Sequence, residues 1–356
     1  MSESLLRRAE EALLPPIVAL LVALILGDIL ILLFHESPAH VYGRMIEGAW
    51  GNPYGFAQVL YKTTTLTFAG LAIALALRAG LFNIGAEGQL AAGAFGAALM
   101  GIILPAGTPG VLAVPLCLLA AAAAGLLAGG VPGVLKTKFG AHEVIVTIML
   151  NFIILALLNW LLVEHFRVEE TLHTAEINAG AVPRLSEFIP GFHGSAANVT
   201  FLFAMAAAVW CWWYLFRTPG GYALRATGLQ AEAAEYSGIR VGRVWIKAMA
   251  LGGMLAALGG TNFVLGYKHY YEDGFTGGSG FLAIAVAIVG RNHPFGVVLA
   301  AFFFATLSQG GLAIHALVPK QMVEVLQGIV ILAMAAAVPE VQRALRGVRS
   351  ARGATT

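Results

Sequence analysis

The sequence predicts an all-α polytopic membrane protein with about ten transmembrane helices. Of its 356 residues, 59% are hydrophobic and only 11% are charged, and the mean hydropathy is +0.81. Soluble domains are about half apolar, so this composition excludes a mainly soluble chain. One membrane crossing needs about 20 apolar residues, and apolar runs cover most of the sequence. We therefore predict a single transmembrane domain over residues 1–356.

Ten apolar segments can be marked in order along the chain. Their approximate bounds are 14–35, 58–79, 84–104, 110–135, 143–163, 198–216, 244–266, 279–290, 296–318 and 321–338. The first includes a 21-residue apolar run, from Leu14 to Phe34, which exceeds a signal-peptide core and predicts a retained span. The eighth is too short alone and breaks at residues 291–296, which predicts a steep crossing or a broken helix lining a cavity.

The placement of charge predicts the orientation of these spans. With the N-terminus in the cytoplasm, 15 of the 21 Lys and Arg residues are cytoplasmic and six are outside. This asymmetry fits the positive-inside rule and supports an even number of spans with both termini in the cytoplasm. The longest loop, residues 164–197, is then extracytoplasmic and acidic, and it offers a surface to an extracytoplasmic partner. Its acidic residues are Glu164, Glu169, Glu170, Glu176 and Glu187.

The ten spans divide into five plus five around a central polar loop. Because five is odd, the second half enters the membrane with the opposite orientation, which allows inverted repeats. Gly80–Ala91 and Gly274–Ala283 are glycine-rich stretches that begin the third segment of each half. Glycine-interrupted segments at corresponding positions indicate a transport site. Close helix packing explains membrane glycines equally well.

The central loop, residues 217–243, is basic and must lie in water. Within it, Leu229–Tyr236 is a short helix candidate, because Leu229, Ala233 and Tyr236 fall on one helical face. Gly238 suits a left-handed helix stop. The stretch is either a surface offered to a soluble partner or a solvated connector.

The stretch Gly80–Gln89, GLFNIGAEGQ, is the most distinctive in the chain. Its glycines break a helix or admit another backbone, while Asn83, Glu87 and Gln89 place polar groups at the membrane edge. Acidic residues at membrane depth face the protein interior or a water-filled cavity. Glu87 is therefore a pathway residue or an anchor for backbone hydrogen bonds, and its position near the cytoplasmic edge favours the anchor.

A second polar stripe begins the fifth span. Glu143, Thr147 and Asn151 recur at intervals of four and share one helical face. The stripe is either the wall of a hydrophilic passage or a row of interhelical hydrogen bonds. Asn262 is an isolated polar residue in another span, where a packing hydrogen bond is the simpler interpretation.

Several kinds of chemistry are not indicated. The sequence has no GxxxxGK[ST] phosphate loop, HExxH motif or GxSxG elbow, so we predict neither nucleotide hydrolysis by this chain nor another enzymatic activity. Cys117 and Cys211 lie in apolar runs without CxxC spacing, and we assign them no chemistry. We predict no metal, no cofactor and no nucleic-acid partner.

Four ordered motifs carry a family resemblance. These are GLFNIGAEGQ at 80–89, GAHEVIVTIMLN at 140–151, ALRATGLQAEAAEYSGI at 223–239 and GFLAIAVAIVGRNHPFG at 280–296. Together they resemble the permease subunits of bacterial ABC importers, in the branch for simple sugars and nucleosides that is related to branched-chain amino acid permeases. His142 departs from the asparagine expected in the second motif. The resemblance implies a type II ABC importer-like fold with two inverted five-helix halves in the bacterial inner membrane.

The resemblance also implies partners and residue roles. The partners are a cytoplasmic ABC ATPase that binds ATP, a second homologous permease, an extracytoplasmic binding protein and membrane lipid. The coupling residues are Leu229, Glu232, Ala233, Ala234, Glu235, Tyr236 and Gly238. The translocation-pathway candidates are Phe82, Asn83, Glu87, Gln89, Glu143, Thr147, Asn151 and Asn262.

Nucleosides are the predicted substrate, moved by alternating access. A sugar or a branched-chain amino acid on the same machinery is the alternative. A proton-coupled secondary transporter, with Glu87, Glu143 or Asp28 as the relay, is a further class. Aromatic residues that offer a stacking surface for a base are Phe82, Phe152, Trp160 and Phe263, although packing in an apolar core explains them too.

Overall fold

A computed structural model describes residues 18, 21–22, 24–315, 317–319, 321–329 and 332–333. The secondary structure of these residues is helical, and the described residues contain three isolated β-bridges but no β-strand. The helices are α1 (Leu24–Leu33), α2 (Pro38–Trp50), α3 (Pro53–Arg78), α4 (Ala86–Ile103), α5 (Gly110–Phe139), α6 (Glu143–Leu161), α7 (Thr200–Arg217), α8 (Pro219–Leu229), α9 (Ala231–Tyr236), α10 (Val241–Phe263), α11 (Ser279–Val289) and α12 (Pro294–Ala313). Single π-helical turns, Leu162–Phe166 and Val264–Lys268, extend α6 and α10. The all-α membrane fold is confirmed.

The predicted number of ten spans is not confirmed. Within the described residues, seven helices are long and apolar enough to cross a membrane, and α1 with α2 gives an eighth if this pair, bent by 109°, is one span. The predicted eighth segment is α11, which has only 11 residues and is too short for a full crossing. The predicted tenth segment, 321–338, is helical at 321–329 and 332–333, and its remainder lies outside the described residues.

Helix α2 is absent from the predicted segments. Its polar residues His40, Arg44 and Glu47 lower its hydropathy, although Val41, Met45 and Ala49 are buried along one side. Helix α3 likewise begins at Pro53 rather than at 58, because proline is well tolerated in the first turn of a helix. A search for uniformly apolar runs misses both features.

Two compact units can be distinguished in the chain. One joins the described residues up to Asn52 to the described residues from Thr306 onward, and the other is Pro53–Ala305. In the first unit, Ile31, Val41 and Met45 belong to one apolar cluster with Ile314 and Val318. The predicted single domain over 1–356 stays a prediction.

Helix α10 is the centre of the larger unit and packs on α3, α4 and α5. Glycines permit the closest approach. A methyl group on Gly253 would overlap the carbonyl oxygen of Gly125 and lie 2.8 Å from the Cα of Gly129. Small residues at helix interfaces are characteristic of membrane packing, where backbones must come close for dispersion contacts. The glycines of these two helices therefore fix their separation.

Gly253→Ala should destabilise the protein, because the added methyl group must push α10 away from α5. Overpacking of this kind costs about 1–3 kcal/mol. Gly130→Ala is the matched control, since its nearest neighbour would be a methyl group of Ala250 at 3.9 Å. Thermal unfolding of the purified variants checks the prediction. Equal thermal midpoints for the two variants would show that α10 can move away from α5 without a loss of stability.

Candidate functional site

Glu87 lies between the N-termini of two helices. It is the second residue of α4, and its carboxylate caps α11. Its Oε1 accepts a hydrogen bond from the Gly278 amide at 2.9 Å, and its Oε2 accepts one from the Gly280 amide at 2.6 Å. The residue is 4% exposed. Helix N-termini carry partial positive charge and unpaired amides, so this carboxylate satisfies two amides of α11 while its charge lies in the first turn of α4.

The glycines around α11 make this contact possible. An ideal Cβ on Gly280 would overlap the Glu87 backbone and lie 2.7 Å from its Oε2. Gly278, the N-cap of α11, has a φ of +82°, which L side chains rarely adopt. The two glycine-rich stretches of the sequence, Gly80–Ala91 and Gly274–Ala283, therefore meet in space at Glu87.

The loop before α4 is held by the polar stripe of α6. Asn151 accepts a hydrogen bond from the Gly88 amide at 2.9 Å and donates one to the Ile84 carbonyl at 2.8 Å. The Thr147 hydroxyl accepts one from the Ile84 amide at 3.2 Å. Asn151 and Thr147 are both buried. Asn151 and Thr147 thus hold the backbone at the start of α4 in place.

Asn83 and Gln89 close the same loop internally. The Asn83 amide nitrogen donates to the Gln89 Oε1 at 3.0 Å, and the Asn83 Oδ1 accepts from the Gly85 amide at 2.9 Å. Both side chains are buried, whereas Phe82 is partly exposed. Asn83 and Gln89 therefore form a hydrogen-bonded pair at the start of α4. We call this pair, together with Glu87 and its two amide donors, the Glu87 cluster.

Glu143 forms the end of the stripe and is paired. Lys136 in the last turn of α5 approaches its Oε2 at 2.6 Å, and the same ammonium group lies 4.9 Å from the centre of the Trp245 ring. Glu143 opens α6, where a negative charge complements the helix dipole. This pair joins α5, α6 and α10 at one membrane edge.

Asn262 does not belong to the Glu87 cluster. Its amide nitrogen donates to Thr65 Oγ1 at 2.9 Å, and its oxygen accepts from Asn198 at 2.9 Å and from Thr200 at 2.8 Å. Gly252 of α10 lies near Asn83, and ten residues of helix, about 15 Å, separate it from Asn262. Asn262 therefore ties α3, α7 and α10 together at a different level of the membrane.

Two of the aromatic residues that could stack on a base, Phe152 and Trp160, are exposed to the surroundings of the chain. Phe152 and Trp160 are 64% and 54% exposed on α6, so neither is buried in the core of this chain. Their large apolar area suits lipid or another subunit. Phe263 packs against Phe275, with the ring centres 4.6 Å apart.

The central loop folds as two helices, so the predicted helix Leu229–Tyr236 is wrong at its start. Leu229 ends α8, Gln230 is extended with a φ of −159°, and α9 begins at Ala231. The predicted face through Leu229, Ala233 and Tyr236 therefore does not exist on one helix. Gly238 has a φ of +84°, as the sequence predicts for a left-handed stop.

The exposed surface of α9 consists of apolar and acidic side chains. Leu229 is 89% exposed and Tyr236 is 95% exposed, at the two ends of α9. Glu232, Ala233 and Glu235 are exposed between them, and Ala234 is buried. We name this set, Leu229 with residues 232, 233, 235 and 236, the α9 surface.

A short contact path links the α9 surface to Glu87. The end of α8 presses against the turn after α3, where a methyl group on Gly228 would overlap the Arg78 carbonyl and lie 2.9 Å from the Gly80 nitrogen. Arg78 also donates to the Asn292 carbonyl at 2.9 Å, beyond the end of α11. Gly80 opens the loop that leads to Glu87. The sequence motifs did not single out Arg78 or Gly228, since the partners are distant in sequence.

The loop of residues 164–197 is hydrogen-bonded along the segment after α10. The amides of Thr174, Ile177 and Val182 donate to carbonyls of this segment at 2.8–2.9 Å. All five acidic side chains of the loop are exposed. Burial, together with nearby Arg184, lowers the pKa of His269, so its imidazole is neutral at pH 7. The loop is therefore an ordered acidic surface.

One further cation was not among the predicted site residues. Lys62 lies in α3, nine positions after the helix begins, and is partly buried. The sequence could have indicated Lys62, because a charged residue within an apolar segment is costly in a membrane and is often functional.

Comparisons with known proteins agree with this architecture. Residues 55–335 match the family described as a branched-chain amino acid transport system permease component. The chain is 35% identical to a guanosine ABC transporter permease of Bacillus subtilis, over 91% of this chain and 93% of the relative. It is 33% identical to a glucose ABC transporter permease of Haloferax volcanii, over 89% and 85%, and 31% identical to a nucleoside ABC transporter permease of Lactococcus lactis, over 83% of each. No solved structure matches the chain.

Proposed function

The chain belongs to the family of branched-chain amino acid transport system permeases, and we propose that it is the membrane subunit of an ATP-driven nucleoside importer. The guanosine and nucleoside permeases of Bacillus and Lactococcus support the nucleoside class. The 33% identity to the Haloferax glucose permease supports a sugar as the second candidate. The chain is proposed to hydrolyse no ATP itself and to depend on an ATPase subunit for energy.

The observation that carries the mechanism is the contact path from the α9 surface to Glu87. Leu229 and Tyr236 are exposed beside Glu232 and Glu235, and apolar surface rimmed by polar residues is typical of a protein interaction site. An ATPase groove that covers them would gain about 1.5–3 kcal/mol for each side chain of this size. We therefore assign the α9 surface to ATPase docking on the cytoplasmic side.

Movement of the docked ATPase would then reach the membrane core. Displacement of α9 moves the end of α8, which touches the Arg78–Gly80 turn without intervening side chains. This turn continues into the loop that α6 holds through Asn151 and Thr147. Glu87 clamps α11 to α4, so these two helices respond as one body. Rocking of such bodies between outward-open and inward-open states is alternating access.

The remaining partners follow from the same orientation. With the α9 surface in the cytoplasm, loop 164–197 lies on the opposite side of the membrane, where its exposed carboxylates suit docking of a binding protein with basic edges. Both termini are proposed to be cytoplasmic. The exposed apolar face of α6, which includes Phe152 and Trp160, suits lipid or a second permease subunit.

Gly228→Ala tests the contact path. The methyl group would overlap the Arg78 carbonyl, which is rigid backbone, and should force the end of α8 away from the turn. We expect ATP hydrolysis by the assembled complex to persist, while nucleoside uptake per ATP falls by about tenfold. The measurement is uptake and ATPase rate in the same proteoliposomes.

The control is Gly43→Ala, where nothing lies within 4 Å of the added methyl group. It should leave both rates unchanged. Equal loss of both rates in Gly228→Ala would indicate misfolding instead of uncoupling, and no loss would remove this contact from the mechanism.

Reconstituted transport tests the function itself. Proteoliposomes would contain this chain, its ATPase and the second permease, with binding protein added outside and radiolabelled nucleosides or glucose as substrate. We expect nucleoside uptake that requires ATP and every subunit. Uptake of glucose alone would favour the second candidate. Uptake by this chain alone, abolished when a proton gradient is collapsed, would establish a secondary transporter.

A further inference from the structure

A cavity between the end of α7, the start of α8 and the start of α10 carries three cations. Its volume is about 260 Å³, and its lining includes Arg240, Arg243, Lys247 and Tyr214. Arg243 and Lys247 are four residues apart on one face of the first turns of α10, and Arg240 is the N-cap residue of the same helix. All three are exposed, and no acidic side chain of the described residues pairs with them.

The length of α10 places this cavity at the depth of lipid headgroups. Together with its final π-turn, α10 contains 28 residues and is about 42 Å long at 1.5 Å per residue. A bilayer with its headgroup regions measures about 40–45 Å. The first two turns of α10 therefore lie in the headgroup region. Aromatic side chains at the same level agree with this depth, because Trp and Tyr concentrate at membrane interfaces.

These aromatic side chains are Trp245 on α10 and Tyr214 and Trp210 on α7. The rings of Trp210 and Tyr214 are stacked, with centres 5.4 Å apart. Tyr214 belongs to the cavity itself. Its ring presents an apolar body and a polar hydroxyl, which suits the boundary between acyl chain and headgroup.

The chemistry of the lining is amphiphilic. Leu224, Ile239 and Val244 provide an apolar wall beside the three cations. A soluble phosphate would use the cations and leave that wall exposed, whereas a phospholipid covers both. Basic pockets between membrane helices on the cytoplasmic side suit anionic headgroups, and each Lys or Arg near such a surface contributes about 1 kcal/mol.

We propose that this cavity binds the headgroup of an anionic phospholipid, with Arg240, Arg243 and Lys247 around the phosphate and Tyr214 at the glycerol boundary. The proposal does not depend on the transported substrate. Assignment of the lipid to the cytoplasmic leaflet rests on the proposed orientation of the chain. Lipid occupancy would brace α7, α8 and α10 where the coupling helices begin.

The test is lipid binding to the purified full chain in detergent, measured by native mass spectrometry. The probes are dioleoyl phosphatidylglycerol, dioleoyl phosphatidylcholine and inorganic phosphate. We expect a preference for phosphatidylglycerol that weakens in high salt. The double variant Arg243→Gln with Lys247→Gln should lose at least about tenfold in affinity for phosphatidylglycerol, from about 1 kcal/mol per cation.

The matched control is Lys138→Gln with Arg217→Gln, which removes two exposed cations from outside the cavity. It should retain the preference. The double variant Arg243→Lys with Lys247→Arg keeps both positive charges and should also retain the preference for phosphatidylglycerol. This result would show that the glutamine variant loses affinity because it loses charge and not because it misfolds. An equal loss in the control would reveal nonspecific surface attraction and overturn the proposal.

Three other outcomes would also overturn it. Equal binding of both lipids would show that no anionic site exists. Strong binding of inorganic phosphate would identify a soluble anion site. Displacement of the lipid by the ATPase would assign the cavity to the docking surface. Because no transport is measured, failure of the lipid site leaves the proposed importer function standing.

Discussion

Replacing Leu229 and Tyr236 together by serine is expected to abolish ATP-driven uptake. The two side chains are 89% and 95% exposed and flank α9, so the change removes the apolar part of the α9 surface without disturbing a buried contact of this chain. Loss of about 1.5–3 kcal/mol per side chain weakens ATPase docking by more than about a hundredfold. The affinity of the purified ATPase for the permease and the uptake rate both check this result.

Phe139→Ser is the matched control for this variant. Phe139 is 75% exposed at the end of α5, so its replacement also removes an exposed aromatic side chain but leaves α8 and α9 intact. The control should bind the ATPase normally. If the double variant also bound it normally and transported at the usual rate, α8 and α9 would be a solvated connector.

Glu232 and Glu235 add a charge component to the same surface. Both are exposed on α9, on either side of Ala233. A basic rim on the ATPase groove would attract them, and such rim charges act mainly on the association rate. The double serine variant should therefore raise the dissociation rate and leave the association rate nearly unchanged, because it keeps both glutamates. Measured rates of association and dissociation distinguish the apolar contribution from the charge contribution.

The polar stripe of α6 shows what sequence periodicity can predict. Intervals of four placed Glu143, Thr147 and Asn151 on one face, and all three are buried. Periodicity contains no information about what that face contacts. Thr147 and Asn151 contact the backbone of Ile84 and Gly88, 63 to 67 residues away in the sequence, whereas Glu143 pairs with Lys136. The roles of these residues in transport stay predictions.

The break between α8 and α9 shows where local reasoning fails. Leu229, Gln230 and Ala231 are all good helix formers, so propensity and periodicity predict a helix that begins at Leu229. The extended backbone of Gln230 instead follows from tertiary packing, because Gly228 must lie against the Arg78 carbonyl and the chain must then turn. Local propensity is a weak prior when packing constrains a residue.

Helix α11 illustrates the same limit at the level of the fold. Its 11 apolar residues predicted either a steep span or a broken helix, and its bounds agree with the sequence. What the sequence did not contain was the reason that so short a helix is stable. Its N-terminal amides are satisfied by Glu87, which is 191 and 193 residues away from the two donors. Contacts at this separation cannot be read from a local pattern.

Glu87→Gln is expected to lower nucleoside uptake by about a hundredfold. The carboxylate accepts two backbone hydrogen bonds, and a glutamine has only one carbonyl oxygen, so its NH2 group would face one of the donors. Hydrogen bonds to a charged group contribute about 1.5–3 kcal/mol, and an amide left buried and unpaired costs a similar amount. The loss detaches α11 from α4 and should also lower the thermal midpoint.

The same variant distinguishes three roles for this residue. An anchor predicts a lower maximal rate and a lower thermal midpoint with KM nearly unchanged, because no contact with substrate is removed. A substrate ligand predicts a large rise in KM with unchanged stability. A proton relay predicts that uptake by the variant no longer responds to a proton gradient. Uptake kinetics in proteoliposomes and thermal unfolding in detergent, measured on the same preparations of each variant, distinguish these three roles.

Glu87→Asp and Glu47→Gln complete the experiment. Aspartate retains the charge but is one methylene shorter, so it reaches the Gly278 and Gly280 amides less well and should restore part of the activity. Glu47 is exposed on α2, and its replacement removes one negative charge without touching α4 or α11. It should therefore transport normally. Full activity in Glu87→Gln would mean that α11 is held by its packing on α3 alone, and the clamp between the two helix N-termini would have no part in transport.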